Sequence, residues 1–308
     1  MDWPYPPSER RQSRLPGGCY NGVVIIDAHT HMFPPEIVER REAYAERDAG
    51  FAALYADPKA RLATAEDLVA SLVSSGVDAA VALNFGWRDA GLCTSTNDYI
   101  LDAARRYPGR IIPFCMVQPA DGPSAARELE RCVARGARGI GEMRPEEQGY
   151  DLDDRALVAP LVEAAGSLRV PLLLHASEPV GHLYPGKGTL TPERLLRFVE
   201  AFPQATIVLA HWGGGLPFYA LMPEVARSLA NVYVDTAASS LLYRWEVVEV
   251  VAQAFGSERI LFGSDFPLLG QGPSVRALQA RPLSAEAIGG ILGANAARLL
   301  GVSGRGPD

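Results

Sequence analysis

The sequence VVIIDAHTH, residues 23–31, joins an apolar run to a His-x-His pair. The run of valine and isoleucine has no polar alternation, which is typical of a strand that is covered on both faces. Residues i and i+2 of a strand point to the same side, so His29 and His31 can face one common point. We therefore expect a buried strand that ends in a pair of imidazoles.

Further apolar runs of this kind alternate with amphipathic stretches along the rest of the chain. The pattern predicts eight parallel strands, each followed by a helix, and this is the composition of a closed (β/α)8 TIM barrel. A doubly wound open sheet is the alternative fold. The predicted strands are 23–27, 78–83, 111–117, 139–143, 170–175, 206–211, 231–235 and 260–263; the predicted helices are 65–75, 95–107, 124–135, 153–165, 193–201, 216–230, 241–255 and 284–300.

The chain has 308 residues and is expected to form one domain, because (β/α)8 barrels commonly run to about 250 residues or more. We predict an N-terminal arm over 1–22, a barrel domain over 23–302 and a C-terminal tail over 303–308. The arm is charged and rich in proline, which is unlike a signal peptide. Residues 32–62 are predicted to be an insertion after the first strand that covers the mouth of the barrel.

Composition and charge restrict the possible partners. Hydrophobic residues make up 48% of the chain and charged residues 21%, which fits a soluble globular protein, and no apolar stretch is long enough to span a membrane. The formal net charge of −7 argues against general binding of nucleic acid, which needs a basic face. Four cysteines lie far apart without CxxC spacing, which favours a reduced, cytoplasmic setting. They are Cys19, Cys93, Cys115 and Cys132.

Four of the five histidines lie at or just beyond the ends of predicted strands, and one aspartate does the same. Barrel enzymes place their chemistry at the C-terminal ends of the strands, so these side chains are expected to converge. Imidazole and carboxylate ligands suit zinc best, with manganese or iron as alternatives. The residues are His29, His31, His175, His211 and Asp265.

The motifs around these residues resemble the amidohydrolase superfamily. They are similar to the amidohydrolase-related branch that includes aminocarboxymuconate semialdehyde decarboxylase, over about residues 23–300. The resemblance implies a divalent ion bound by His29, His31, His175 and Asp265, with His211 beside it. The motifs are DAHTH at 27–31, LH at 174–175, AHWGG at 210–214 and FGSDFP at 262–267.

Glu142 ends the fourth predicted strand, where many relatives with two metals carry a carboxylated lysine. The only lysines, Lys59 and Lys187, are not at strand ends. A glutamate at this place resembles the TatD-type deoxyribonucleases, in which it helps to hold a second metal. One ion is expected and two are possible, with His211 taking the second. Alternatively, Glu142 binds a substrate group or pairs with Arg144.

Substrate contacts are predicted at Asn84, Trp87, Arg144 and His182, which follow predicted strands two, four and five. A guanidinium near a metal suits a carboxylate or phosphate, so Arg144 is the best of these. The segment GHLYPGK at 181–187 matches the start of a phosphate-binding loop. The residue after its lysine is glycine rather than serine or threonine, and no helix follows at once, so nucleotide binding is not expected.

The favoured function is metal-dependent hydrolysis of a small organic molecule. A divalent ion lowers the pKa of bound water towards about 7. Asp265 would accept the proton from that water, and His211 would orient or polarise the substrate.

Two other functions remain open. The first is nonoxidative decarboxylation of an unsaturated or aromatic acid, which has relatives in the same branch. The second is a non-catalytic binding protein, which would be expected to have lost ligand residues. Relatives in this branch often assemble, so a homo-oligomer is possible.

Overall fold

The computed structural model describes residues 24–302. Eight parallel strands follow one another around a single sheet in chain order, each hydrogen-bonded to the next. The strands are β1 (Ile26–His31), β2 (Ala79–Leu83), β3 (Ile111–Cys115), β4 (Gly139–Met143), β5 (Leu172–Leu174), β6 (Ile207–Leu209), β7 (Val232–Asp235) and β8 (Ile260–Leu261).

Backbone hydrogen bonds between β1 and the segment that includes β8 close the sheet. The amide of Ala28 donates to the Phe262 carbonyl at 2.6 Å, and the amide of His31 donates to the Phe266 carbonyl at 2.7 Å. Residues Thr30 and Phe266 form a parallel bridge. The predicted closed (β/α)8 barrel is thereby confirmed, and the open doubly wound sheet is wrong.

Both faces of the strands are apolar because the barrel has an inner and an outer core. In β2, Val81 and Leu83 belong to the cluster inside the barrel, whereas Ala80 and Ala82 pack outwards with the surrounding helices. This two-sided burial explains why the strands read as apolar runs without polar alternation.

Helices occupy the connections between the strands. The α-helices are α1 (Pro35–Glu39), α2 (Arg41–Arg47), α3 (Ala49–Tyr55), α4 (Ala65–Ser75), α5 (Ala90–Arg106), α6 (Pro123–Ala134), α7 (Pro145–Gln148), α8 (Arg155–Leu168), α9 (Pro192–Ala201), α10 (Pro223–Ser228), α11 (Ser239–Leu242), α12 (Val247–Val251), α13 (Gln271–Gln279), α14 (Ala285–Gly289) and α15 (Asn295–Leu300). None of the helices in residues 24–302 combines the length and the apolar character needed to cross a bilayer.

Helix α4 has the bounds that its sequence predicts. Thr64 accepts a hydrogen bond from the Asp67 amide, and the Asp67 carboxylate accepts one from the Thr64 amide, which completes a capping box. At the other end Gly76 takes a left-handed conformation with φ of 67°. Local capping chemistry therefore fixes this helix at both ends.

The helices predicted over 216–230 and 241–255 are interrupted, which corrects the sequence prediction, whereas the one predicted over 284–300 is helical throughout and contains a π-helical turn. The first is replaced by a 3-10 segment, His211–Leu221, with left-handed residues near its start, and the short α10. In the last, a π-helical turn, Gly290–Ala294, separates α14 from α15. A Cβ on Gly293 would lie 1.9 Å from the Val24 carbonyl oxygen, so close packing against the start of β1 shapes this turn.

The predicted insertion after β1 folds into α1, α2 and α3. An aromatic cluster, composed of Phe33, Phe51, Tyr55, Phe85 and Trp87, packs it against the loop that follows β2. The ring of Trp87 stacks on Phe51 with centroids 5.1 Å apart. The predicted N-terminal arm and the predicted tail over 303–308 lie outside the described residues.

Candidate metal and catalytic centre

The predicted histidines and Asp265 lie at the C-terminal end of the barrel strands. His29 and His31 belong to β1, His175 directly follows β5, and His211 lies two residues beyond β6. The pairing of β1 with β2 shifts register between Asp27 and Thr30. Irregularities of this kind re-aim side chains next to active sites.

One group of candidate ligands consists of His29, His31 and Asp265. The Nε2 atoms of the two histidines are 3.2 Å apart, and Asp265 Oδ1 lies 3.7 Å from His29 Nε2 and 3.6 Å from His31 Nε2. Ligands that bind one ion at 2.0–2.2 Å lie roughly 3 to 3.6 Å from each other. The three atoms are therefore spaced as ligands of one ion would be.

The remaining ring nitrogen of His31, Nδ1, is buried without a hydrogen-bond partner among residues 24–302. Burial and the nearby charge of His29 lower the pKa of His31 to about 4, which favours a neutral imidazole. A neutral imidazole is the form that ligates a metal.

A second group consists of His29, Glu142 and His211. Glu142 Oε1 lies 3.4 Å from His211 Nε2, and Glu142 Oε2 lies 3.7 Å from His31 Nε2. Burial acts to raise the pKa of Glu142, but Arg144 and His175 outweigh it and hold that pKa well below the usual range. Glu142 is therefore a buried carboxylate that is close to both groups, because one of its oxygens approaches His211 and the other approaches His31.

His175 faces Glu142, a member of the second group. Its Nδ1 lies 2.7 Å from Glu142 Oε1 and 2.9 Å from Arg144 Nη1, while its Nε2 lies 3.3 Å from Ser177 Oγ. Burial and the charge of Arg144 lower its pKa to about 4. A role for His175 as a metal ligand stays a prediction.

Arg144 is buried behind this network. Its Nη1 lies 3.4 Å from Glu142 Oε2, and its Nη2 donates to Glu147 Oε1 at 2.9 Å and to the Gly186 carbonyl at 2.8 Å. The pairing of Glu142 with Arg144, one of the alternatives from the sequence, is thus present. Both terminal nitrogens are engaged with protein groups, so a substrate contact by Arg144 stays a prediction.

Asp235, at the end of β7, is a candidate site residue that was not predicted from the sequence. Its Oδ2 lies 2.8 Å from His29 Nδ1, and its Oδ1 accepts hydrogen bonds from the amides of His211 and Ala237 at 2.9 and 3.0 Å. Burial acts to lower the pKa of His29, but Asp235 outweighs it and raises that pKa to about 10. Like Glu142, Asp235 is an acidic residue near the end of an apolar strand, and this sequence pattern could have revealed Asp235 as a candidate.

Asp27, the second residue of β1, binds the segment that follows β8. Its carboxylate accepts hydrogen bonds from the Ser264 amide at 2.9 Å and from the Ser264 hydroxyl at 2.5 Å. Burial raises its pKa to about 7, against the opposing effect of these hydrogen bonds. Asp27 therefore fixes the segment that carries Asp265.

The other predicted substrate contacts are Asn84, whose carbonyl accepts the Glu142 amide at 3.0 Å, Trp87 and His182. Asn84 donates to Asn97 Oδ1 at 2.7 Å and accepts from the Phe85 amide, and Trp87 is fully buried in the aromatic cluster. His182 lies in the loop after β5, with its ring 5.5 Å from that of Tyr184. The structure gives Asn84 and Trp87 packing roles, and a substrate contact from any of the three stays a prediction.

The fold and the site define a class: (β/α)8-barrel proteins with a centre of histidines and carboxylates at the C-terminal mouth. The family model described as amidohydrolase matches residues 26–302. The chain belongs to the amidohydrolase family, as the motifs predicted.

Two curated relatives are gamma-resorcylate decarboxylases. The protein from Polaromonas sp. is 24% identical over 256 residues, which cover 68% of this chain and 76% of the relative. The protein from Rhizobium radiobacter is 23% identical over the same shares of both chains.

Solved structures with the same fold include two decarboxylases. The 5-carboxyvanillate decarboxylase from Novosphingobium aromaticivorans, solved with bound manganese, has a TM-score of 0.80 and 22% identity, and the match covers 94% of this chain and 100% of that chain. The 2,6-dihydroxybenzoate decarboxylase from Rhizobium has a TM-score of 0.69 and 19% identity, with 92% and 99% covered. At these identities the likeness shows the fold.

Proposed function

We propose that this protein is a metal-dependent, nonoxidative decarboxylase of an aromatic acid. The observation that carries the proposal is the convergence of His29, His31 and Asp265 at the barrel mouth, in a family member whose matched relatives are decarboxylases. The sequence alone favoured hydrolysis over decarboxylation. The relatives favour the second, and we adopt it.

The residues present fit a divalent ion. His29, His31 and Asp265 would hold it, with His175 as a further candidate, and Glu142 and His211 would serve a second ion if one binds. Nitrogen and carboxylate donors suit manganese as well as zinc. Two solved relatives hold manganese, which makes Mn²⁺ our choice over the zinc expected from the sequence. When bound, the ion supplies positive charge that polarises substrate oxygens.

Asp265 is the residue that we assign to proton transfer. Its side chain is 14% exposed, which makes it more accessible at the mouth than His29 and His31. A proton from its carboxyl group would form a C–H bond at the ring carbon that bears the carboxylate. The C–C bond then breaks, its electron pair returns to the ring, and CO2 leaves; water restores the proton to Asp265.

His211 would stabilise negative charge on the substrate. Burial acts to lower its pKa, but Glu142 and Asp265 outweigh burial and raise it, so the imidazole is disposed to carry a proton. A cationic imidazole attracts a carboxylate or phenolate that enters the mouth. Arg144 adds positive charge behind the site.

The test is CO2 release by the Mn²⁺-loaded protein from 2,6-dihydroxybenzoate and 5-carboxyvanillate, the acids of the structural relatives. We expect turnover that falls by at least about a hundredfold in Asp265→Asn, because a general acid contributes about 10²–10⁴-fold. Asp78→Asn, which alters a buried aspartate at the N-terminal end of β2, is the control and should retain activity. Wild-type protein with full metal content and no CO2 release from either acid would count against the proposal.

A further inference from the structure

Residues 178–189, which we call the strap, form the loop that follows β5. The amide of Ser177 donates to the Leu190 carbonyl at 3.0 Å, so the two ends of the strap lie side by side. Compact loops of this kind are frequently functional. None of the residues 178–189 is buried. A segment with little buried surface opens at a lower cost in free energy than a core strand or helix, so the strap can move while the barrel stays folded.

Two side chains connect the strap to the candidate centre. Arg144 donates through Nη2 to the Gly186 carbonyl at 2.8 Å, while its Nη1 lies 2.9 Å from His175 Nδ1. The Ser177 hydroxyl accepts a hydrogen bond from the Gly188 amide at 3.0 Å and lies 3.3 Å from His175 Nε2. The middle of the strap therefore lies against the residues that contact His175.

The candidate ligands are largely closed off from solvent. The side chains of His29, His31 and Asp265 are at most 14% exposed, so an aromatic acid reaches them only if a covering segment moves. The strap extends to the insertion after β1, since a Cβ on Gly186 would lie 2.4 Å from Leu54 Cδ2. The insertion itself is fixed by the buried aromatic cluster. Of these two covering segments, the strap is the one able to open.

The far end of the strap is held by Glu146, which lies in α7 directly after Arg144 and Pro145. The Thr189 amide donates to Glu146 Oε1 at 2.7 Å and to Oε2 at 2.9 Å, and the Thr189 hydroxyl also donates to Oε1. Arg194 of α9 donates to the Thr189 hydroxyl oxygen at 2.8 Å. Hydrogen bonds to an ionised acceptor are about twice as strong as those between neutral groups, so Glu146 favours the closed position of the strap.

Other contacts hold the near end of the strap and keep it together as one body. Glu178 accepts a hydrogen bond from the Tyr184 hydroxyl at 3.0 Å and is also hydrogen-bonded to Tyr243, in the connection after β7. Within the strap, Lys187 Nζ donates to the Val180 carbonyl at 2.7 Å. Release of the far end would therefore move the strap as a unit about its near end.

We propose that Glu146 is a positioning residue that acts through Thr189. It holds the strap closed over the candidate centre, and its release opens the path by which an ion and a substrate enter. The proposal rests on the proposed metal centre and not on the reaction that takes place there. A covering segment of this kind changes the rates of entry and exit by the same factor, whereas a ligand residue changes the dissociation constant.

The first readout is cleavage by trypsin after Lys187, in the middle of the strap, followed by mass spectrometry of the manganese-loaded protein. In Glu146→Ala we expect cleavage at least about tenfold faster, because hydrogen bonds to a charged group are lost and cleavage follows the population of the open form. Glu146→Gln keeps a carbonyl acceptor for the Thr189 amide and should be accelerated less. Glu193→Ala removes a carboxylate that pairs with Arg197 on α9, and this matched control should be cleaved like wild type.

The second readout is the exchange of Mn²⁺ in the same variants. Removal of the ion by excess EDTA and its uptake by the metal-free protein should both accelerate in Glu146→Ala, by the factor found for cleavage, while the dissociation constant for Mn²⁺ stays unchanged. A general loss of stability would not produce this pattern. Melting temperature is measured for each variant, and Glu146→Gln carries the test if the alanine variant does not fold.

The outcomes separate this proposal from the proposed function. Equal cleavage rates in wild type and both Glu146 variants would show that Glu146 does not hold the strap, and faster cleavage with unchanged exchange of Mn²⁺ would show that the strap does not cover the entrance. Either result overturns the proposal. Both accelerations without CO2 release from 2,6-dihydroxybenzoate or 5-carboxyvanillate would overturn the decarboxylase function and leave the role of Glu146 intact. A wild-type protein that binds no Mn²⁺ would overturn both.

Discussion

Single carboxylates set the orientation of the imidazoles at this site. Asp235 faces the Nδ1 side of His29 and also accepts the His211 amide, so one side chain positions two candidate site residues. Hydrogen bonds of this kind fix the tautomer and direction of a metal-binding histidine. The Nε2 of His29 is thereby directed at His31 and Asp265.

Asp235→Asn should weaken binding of Mn²⁺ by about 10–100-fold, the usual effect of removing such a partner. Isothermal titration of the metal-free protein measures this directly. Asp78→Asn is the matched buried control, since its carboxylate accepts the Ile25 amide away from the site. Equal manganese affinity in Asp235→Asn and wild type would show that Asp235 does not orient a ligand.

At the level of residues, the sequence revealed those that lie at strand ends and bear an imidazole. His29, His31, His211 and Asp265 lie together as predicted, because the ends of parallel strands share one rim of a barrel, and their chemical roles stay predictions. Asp235, the last residue of β7, was missed although it shares the strand-end position that singled out Asp265. The contact between Glu178 and Tyr184 depends on the path of a loop, which periodicity does not describe.

Helices α5 and α6 are joined by a network of charged side chains. Arg131 in α6 binds Glu128 in its own helix at 2.7 Å and Asp98 in α5 at 2.8 Å, and Asn97 of α5 donates to Glu128 at 2.9 Å. The Glu128 side chain is 16% exposed, so its charge depends on these partners.

Arg131→Leu should reduce the free energy of unfolding by roughly 1 kcal/mol, because a partly screened network is lost and Glu128 loses its cationic partner. Urea denaturation measures the change. Arg127→Leu is the control. The Arg127 guanidinium donates to the Ser124 hydroxyl of its own helix, so its removal should have little effect on stability. Equal losses in the two variants would contradict a special role for Arg131.

The same network predicts a pH dependence. Burial acts to raise the pKa of Glu128, but hydrogen bonds from Arg131 and Asn97 outweigh it and lower that pKa. The stabilisation that comes from this lowered pKa is present above the pKa of Glu128 in the unfolded chain, about 4.3. It is lost as the pH falls through the pKa of Glu128 in the folded protein. The stability difference between wild type and Arg131→Leu should therefore shrink below about pH 4, and a constant difference down to pH 3 would refute this.

Alanine substitution should have opposite effects on the free energy of unfolding at Gly293 and at Gly166. Gly293→Ala should cost about 2–3 kcal/mol, because its Cβ would overlap the Val24 carbonyl. Gly166→Ala, in α8 with open space around it, should stabilise the protein by about 0.5–1 kcal/mol. Thermal and urea unfolding of both variants decide this; similar effects of the two changes would contradict the packing argument.

These elements also show what local sequence can and cannot predict. The capping box of Thr64 and Asp67 predicts where α4 begins because both hydrogen bonds are local. The π-helical turn near Gly293 depends on close packing against Val24 at the start of β1, which is distant in the sequence. Long-range packing, rather than helix propensity, shapes that segment.

For the molecule as a whole, closure of the barrel brings together ligand candidates separated by more than two hundred residues. The amide of Asp265 donates to the His29 carbonyl at 3.0 Å, so the strand pairing itself places their side chains together. Eight apolar runs predicted this closure, and the family match over residues 26–302 agrees with it.

A bound ion should stabilise the whole barrel, because it binds the folded state and not the unfolded one. At a hundred times the dissociation constant the gain is about 2.7 kcal/mol, which corresponds to a rise in melting temperature of roughly 5 °C. Calorimetry of chelator-treated protein before and after addition of Mn²⁺ measures this shift. His29→Ala should abolish it; a wild-type protein with no shift would contradict a resident metal.

The most direct test follows the atoms of the reaction. Manganese-loaded protein is incubated in D2O enriched in ¹⁸O with 2,6-dihydroxybenzoate labelled with ¹³C at the carboxyl group. We predict release of ¹³C-labelled CO2 and a product that carries one deuterium at the carbon that lost the carboxylate, with no oxygen from water. Recovery of the labelled acid unchanged from the manganese-loaded protein, with no ¹³C-labelled CO2 released, would contradict the account.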